Sequence, residues 1–188
     1  MSYQYDAFFS YKRDPQSDLW HQMLKSKIQF WVGNELGTDP QIFFDTESIE
    51  VGELWRDEIG SALKKSKCII CIWSPRYFNS KWCLSEWKTF EQRSKRYDSN
   101  LISPARYNRR IPDYARHIQG MDMSEYASTI EAFWGTTKAV QFEENCIRPF
   151  AISVSRMIIN APPFDPNFPL EVVVNQPAQP KITRLAAG

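Results

Sequence analysis

The stretch Cys68-Ile-Ile-Cys-Ile-Trp73 decides the fold. It is short, β-branched and without alternation, so it reads as a central strand buried on both faces. Ser74-Pro75 ends it, and a short spacer leads to the heptad Ser80-Lys-Trp-Cys-Leu-Ser-Glu86. Ser80 suits the N-cap of a helix running to about Tyr97. On that helix Trp82 and Glu86 stand one turn apart and share a face near its N-terminal end. Such an end lies by the carboxyl edge of the strand, where open α/β sheets bind ligands. A ring and a carboxylate there can grip a nucleotide or a sugar.

Outwards from this unit the same alternation repeats. Tyr5-Asp-Ala-Phe-Phe-Ser10 reads as a first strand. Trp20, Leu24, Ile28 and Trp31 recur at helical spacing, and Gly33 and Gly37 close that helix. Gln41–Phe44 is a short second strand, followed by a polar loop over Asp45–Gly52. A helix with Trp55, Ile59, Ala62 and Leu63 inward comes next. Leu101–Ala105 is a fourth strand, and Pro104 places it near an edge of the sheet or at its own end. Tyr107–Gly135 carries only a short helix and a brief fifth strand. A last helix spans about Phe142 to Asn160, and Pro149 kinks it or marks a later start. Alternating strands and helices give a doubly wound parallel sheet with helices on both faces. Residues 1–160 form that domain. Residues 161–188 are Pro-rich and read as a surface-wrapping tail or a linker.

With 188 residues the chain suits one domain and a sizeable core. Its formal charge of +1 argues against nucleic-acid binding driven by bulk electrostatics. Arg106, Arg109 and Arg110 form the tight basic cluster, read as a solvated loop. No run approaches the roughly 18 apolar residues of a membrane span, and the start is no signal peptide. A cytoplasmic location is expected. Cys68 and Cys71 have CxxC spacing, but on a strand they point to opposite faces, so they read as small buried apolar residues. No metal site is expected. His21 and His117 are isolated in sequence and read as surface or satisfied histidines.

Three segments coincide in order and spacing. They are Tyr5-Asp-Ala-Phe-Phe-Ser-Tyr-Lys-Arg-Asp14, then Ile42–Trp55 running into Ile59–Ser66, and then Ser74–Glu86 with its S-x-W-C-x-x-E box. Together they resemble the TIR (Toll/interleukin-1 receptor) domain family, in wording nearer its bacterial NAD-cleaving members. The resemblance implies a flavodoxin-like, five-stranded TIR fold. It also implies two functional classes: scaffolds that signal by assembling, and enzymes that cleave NAD+ between nicotinamide and ribose. The enzymes are similar to one another in a glutamate at the position of Glu86. The implied activity is NAD+ glycohydrolysis or cyclisation in anti-phage defence signalling, with NAD as substrate and no cofactor. TIR–TIR self-association is implied, with a possible sensor or effector protein as a further partner. The alternative is a non-catalytic TIR–TIR scaffold.

Cleaving a glycosidic bond passes through an oxocarbenium-like state. Nicotinamide leaves as a neutral molecule, so one ionised carboxylate beside the ribose is the group the reaction needs. Glu86 is the candidate; its other reading, a solvated helix Glu in an i,i+4 pair, is weakened because i+4 is Phe90. Cys83, Trp87 and Phe90 form an inward stripe that leaves Trp82 and Glu86 on a separate face. Trp82 either stacks on a ligand ring or packs on the core. Phe9, Ser10, Tyr11 and Arg13 sit where the first strand opens into its loop. Arg13 is the candidate cation for a diphosphate, or an exposed loop arginine. Tyr11 is a ring-stacking wall or a surface tyrosine, and Phe9 reads as core. Asp45 orients ribose or, as the preferred reading, caps its own loop. Glu47, Glu50 and Glu53 read as a solvated acidic run with partner contacts as the other reading.

Overall fold

A computed structural model describes residues 2–44 and 53–171, with backbone alone for 53–57. The acidic loop, the Trp55 side chain and Val172–Val174 lie outside the described residues. Strands β1 (Tyr5–Ser10), β2 (Ile42–Phe44), β3 (Ser66–Trp73), β4 (Ile102–Arg106) and β5 (Met121–Asp122) form one sheet. Its order is β2-β1-β3-β4-β5, and every pair is parallel. β3 lies at the centre, as its unbroken apolar run requires.

The two sheet faces carry separate cores. Ala7, Phe9, Cys68, Ile70 and Ile72 pack with α1 (Asp18–Leu36) and α6 (Arg148–Ile159). Phe8, Ile69, Cys71 and Trp73 face α2 (Glu53–Lys64) and α4 (Lys81–Tyr97). Successive residues therefore divide between the layers, and Cys68 and Cys71 fall on opposite ones. All four cysteines are buried free thiols.

Several boundaries differ from the sequence expectation for local reasons. α1 runs through Gly33 and stops at Gly37 alone, which takes φ +70° and donates its N–H to the Gly33 carbonyl. That left-handed stop is the usual role of a C-terminal glycine. α3 (Pro75–Phe78) is a turn of helix that the strand-ending reading of Ser74-Pro75 passed over. Ser74 caps it and Pro75 stands in its first turn, where a missing N–H costs nothing.

Pro104 stands within β4. The odd-numbered Leu101 and Tyr107 carry backbone bonds to β3, so position 104 directs its missing N–H away from β3. On that side β5 pairs only from Ala105 onwards, so no ladder bond is lost. The last helical stretch divides into α5 (Thr137–Phe142), a π-turn over Glu143–Ile147, and α6 with Pro149 in its first turn. Pro149 thus marks a later start. Within 107–135 the chain makes three 3-10 turns rather than one short helix.

His21 departs from a surface or satisfied reading. It is 4% exposed, walled by Tyr11, Trp20 and Tyr107, and its Nδ1 has no hydrogen-bond partner. Burial lowers its pKa to about 4, against the weaker opposing pull of Asp18 and Asp14. His117 is exposed, 3.5 Å from Glu91. Of the arginine cluster, Arg109 pairs with Glu125 at the surface, while Arg106 turns inward and donates to the Gly120 carbonyl.

Residues 161–171 run back over the α2–α4 face. Tyr3 donates to the Pro162 carbonyl, Tyr97 donates to Asp165, and Thr89 Oγ1 accepts the Glu171 N–H. Phe168 is buried.

Candidate functional site

In this strand order the crossovers leave β1 and β3 in opposite directions, so a crevice opens at their carboxyl ends. Phe8, Phe9, Tyr11, Lys12 and Arg13 line it from β1 and the following loop. Ile59 contributes from α2, and Ser80, Trp82, Cys83 and Glu86 from the start of α4. The cleft is narrow and open to solvent, with about 110 Å³ of space a water can enter.

Two short-range causes place the carboxylate. Ser80 Oγ accepts the Cys83 N–H and fixes where α4 begins. Cys83, Trp87 and Phe90 bury the stripe that orients the helix. The remaining face then turns Trp82 and Glu86 towards the end of β1. Trp82 is 37% exposed at the mouth, whereas Glu86 is only 8% exposed. The solvated reading of Glu86 is therefore set aside.

Beneath the cleft lies a buried polar cluster. Ser10 Oγ donates to Glu86 Oε2 at 2.5 Å and lies 2.9 Å from the Tyr77 hydroxyl. That hydroxyl is also 3.1 Å from the Cys83 carbonyl, which it can reach as donor. Tyr77, Cys71 and Cys83 are all pushed well above their ordinary pKa values, chiefly by burial, with the Glu86 charge adding to each. They stay neutral around it at physiological pH. The open side of the cleft is cationic, with Lys12, Arg13 and the N-terminal end of α4.

Of the residues singled out in sequence, Glu86, Trp82, Phe9, Tyr11 and Arg13 line one cleft, with Ser10 hydrogen-bonded to Glu86 below them. Asp45 lies outside the described residues. Phe9 is core and cleft wall at once. Tyr11 is nearly buried and stacked on Phe44, so it is no surface tyrosine. Sequence reasoning missed Lys12, Ile59 and above all Tyr77. The Ser-Pro pair that starts α3 was the available signal for Tyr77.

Among the described residues no group of His, Cys, Asp and Glu could hold a metal ion. Nor is any described helix long and apolar enough to cross a membrane.

A model of the TIR domain matches residues 8–134. The chain belongs to the TIR domain family. The all-parallel five-stranded sheet flanked by helices is the TIR fold. Among solved structures, the TIR domain of the Toll-related receptor TRR-2 from Hydra magnipapillata is similar at 19% identity and a TM-score of 0.48. That match covers 76% of this chain and 100% of the other. The TIR domains of the activated Roq1 resistosome, which directly recognizes the pathogen effector XopQ, are similar at 14% identity and a TM-score of 0.41. There the cover is 84% of this chain and 86% of that one. No curated protein matches the chain. The family includes NAD-cleaving enzymes as well as non-catalytic scaffolds, so the choice for this TIR domain rests on the cleft.

Proposed function

We propose that this TIR domain is an NAD+ glycohydrolase that cleaves the nicotinamide–ribose bond, giving nicotinamide with ADP-ribose or a cyclic ADP-ribose isomer. The observation that carries the reading is the buried Glu86 carboxylate facing a cleft at the carboxyl ends of β1 and β3.

In this reading the dinucleotide lies across the cleft. Lys12, Arg13 and the start of α4 neutralise its diphosphate. Trp82 offers a ring face to a base, and Tyr11 forms part of the cleft wall. Glu86 stands by the nicotinamide-bearing ribose, holding its hydroxyls and stabilising positive charge as the glycosidic bond lengthens. Water captures the ribosyl cation for hydrolysis; a nucleophile within the same substrate captures it for cyclisation. No residue has to protonate the leaving group, which departs neutral. Asp45 enters the reading as an orienting group for ribose. Self-association through TIR–TIR contacts, a sensor or effector partner and antiviral defence in the cytoplasm belong to the same proposal and rest on the family resemblance.

The test is incubation of purified protein with NAD+ at high protein concentration or under crowding, with products read by mass spectrometry. We expect nicotinamide release that falls by at least about a hundredfold in Glu86→Gln. Free ADP-ribose indicates hydrolysis, and a product one water lighter indicates cyclisation. If wild type and Glu86→Gln behave alike, the enzyme reading fails and the assembling scaffold takes its place.

A further inference from the structure

The buried cluster under the cleft holds more oxygens than hydrogens to join them. Glu86 Oε2, Ser10 Oγ, the Tyr77 hydroxyl and the Cys83 carbonyl are spaced 2.5, 2.9 and 3.1 Å apart in that order. Ser10 and Tyr77 bring two hydroxyl protons to these three gaps. When Glu86 is ionised, the shortest gap must be filled by the Ser10 proton. Ser10 Oγ is then an acceptor towards Tyr77, and the Tyr77 proton fills the second gap. The Cys83 carbonyl is the group that can go without, because within α4 it also takes the helical i+4 N–H. The hydroxyls thus line up head to tail, Tyr77 to Ser10 to Glu86, and each polarises the next.

The surroundings hold that direction in place. Ser10 is 1% exposed and Tyr77 is fully buried, so no water competes for either hydroxyl. β1 is paired on both sides, with Ser10 opposite Cys71 in the ladder to β3. Tyr77 is fixed by the capped turn of α3. Among the described residues, the titratable groups that face the carboxylate are Lys12 and Arg13 from the loop after β1, Cys71 from β3, Tyr77 from α3 and Cys83 from α4.

We propose that Tyr77 is a positioning residue that acts through Ser10, holding the Glu86 carboxylate ionised and aimed into the cleft without touching substrate. The role rests on the NAD+ glycohydrolase reading for its catalytic meaning, but the coupling itself is a property of the unliganded fold. When Glu86 takes up a proton, the whole chain reverses. Glu86 donates to Ser10, Ser10 to Tyr77 and Tyr77 to the Cys83 carbonyl, and all three gaps are then filled.

The experiment is a titration of the Glu86 side-chain carboxyl by carbon NMR on protein labelled at glutamate, its resonance assigned by its absence in Glu86→Gln. It is run on wild type, Tyr77→Phe, Ser10→Ala and the double variant. We expect the midpoint to rise by about half a pH unit in Tyr77→Phe, the scale of one neutral hydrogen bond. The rise should be larger in Ser10→Ala, and Tyr77→Phe should add nothing once Ser10 is alanine. The acid limb of the NAD+ cleavage profile should move with the midpoint. An unmoved midpoint in Tyr77→Phe overturns the proposal. So does an equal shift with and without the Ser10 hydroxyl, because Tyr77 would then act directly or through the fold. If Tyr77→Phe does not fold, Ser10→Ala alone decides: an unchanged midpoint there also overturns the chain. A wild type that titrates as expected but releases no nicotinamide sinks the enzyme reading and leaves the coupling standing.

Discussion

Arg93 Nη2 donates to the Tyr3 hydroxyl at 3.0 Å, and that hydroxyl in turn donates to the Pro162 carbonyl at 2.9 Å. One buried side chain thus ties the first residues of the chain to the segment after α6. Nη1 and Nη2 also donate to the Leu63 and Lys64 carbonyls at the end of α2 and to the Ser66 carbonyl at the start of β3, while Nε has no hydrogen-bond partner among the described residues. Tyr3, Phe90 and Phe168 press their rings on the guanidinium.

Replacing Arg93 by methionine keeps much of the volume and removes every donor. Several buried carbonyls would lose their partner, so we expect a loss of about 2–4 kcal/mol of unfolding free energy in urea denaturation. Arg93→Lys should recover little, because an ammonium cannot span three carbonyls and a hydroxyl from one planar fork.

Phe168 is 3% exposed although it lies in the proline-rich stretch that sequence alone left as tail or linker. Truncation to alanine should cost about 3 kcal/mol, in the range of buried aromatic deletions. Thermal unfolding of Phe168→Ala reads this directly. A change under about 1 kcal/mol would mean that the strap over α4 carries no weight in the fold.

His21 makes stability depend on pH in a direction that can be worked out. Its folded pKa of about 4 lies below the ordinary 6.5, because burial disfavours the charged ring. Between those values the unfolded chain binds the proton and the folded chain does not, so unfolding gains ground as pH falls. The contribution is fully present above about pH 6.5 and is lost as pH falls through about 4. Over that window it amounts to about 3 kcal/mol. His21→Phe should flatten the slope of unfolding free energy between pH 7 and pH 5, measured against wild type in parallel.

Trp82 is the exposed ring of the cleft, so its truncation separates binding from folding. Trp82→Ala should leave stability within about 1 kcal/mol of wild type. In the NAD+ assay KM should rise by about tenfold, the scale of one lost base stack. A stability loss with unchanged KM would place Trp82 with the core instead.

Much of this architecture was legible because it follows from one-dimensional patterns. The unbroken run at 68–73 specified a central strand, and the spacing of Cys83, Trp87 and Phe90 specified which face of α4 turns inward. Glu86 and Trp82 followed as the residues left over. What escaped were groups whose meaning depends on neighbours distant in sequence. His21 looked isolated because Tyr11 and Tyr107 meet it only once the sheet brings the carboxyl ends of β1 and β4, with β3 between them, to one edge over α1. Arg93 looked like any helical arginine, since the carbonyls it satisfies belong to the end of α2 and the start of β3. Tyr77 sat in a spacer between a strand and a helix, and its partner Ser10 is 67 residues away. Periodicity carries no trace of such pairs.

The position of Ser10 has a bearing on how this domain can change. It is the last residue of β1, and its rung in the ladder to β3 is shared with Cys71. The atom that holds the carboxylate is thereby part of the sheet, while the surfaces that would meet a ligand belong to the loop after β1 and the first turn of α4. Insertions or exchanges in those rims can alter what enters the cleft, or which face meets another molecule, without moving the reactive group. The fold works as a fixed socket with an interchangeable collar.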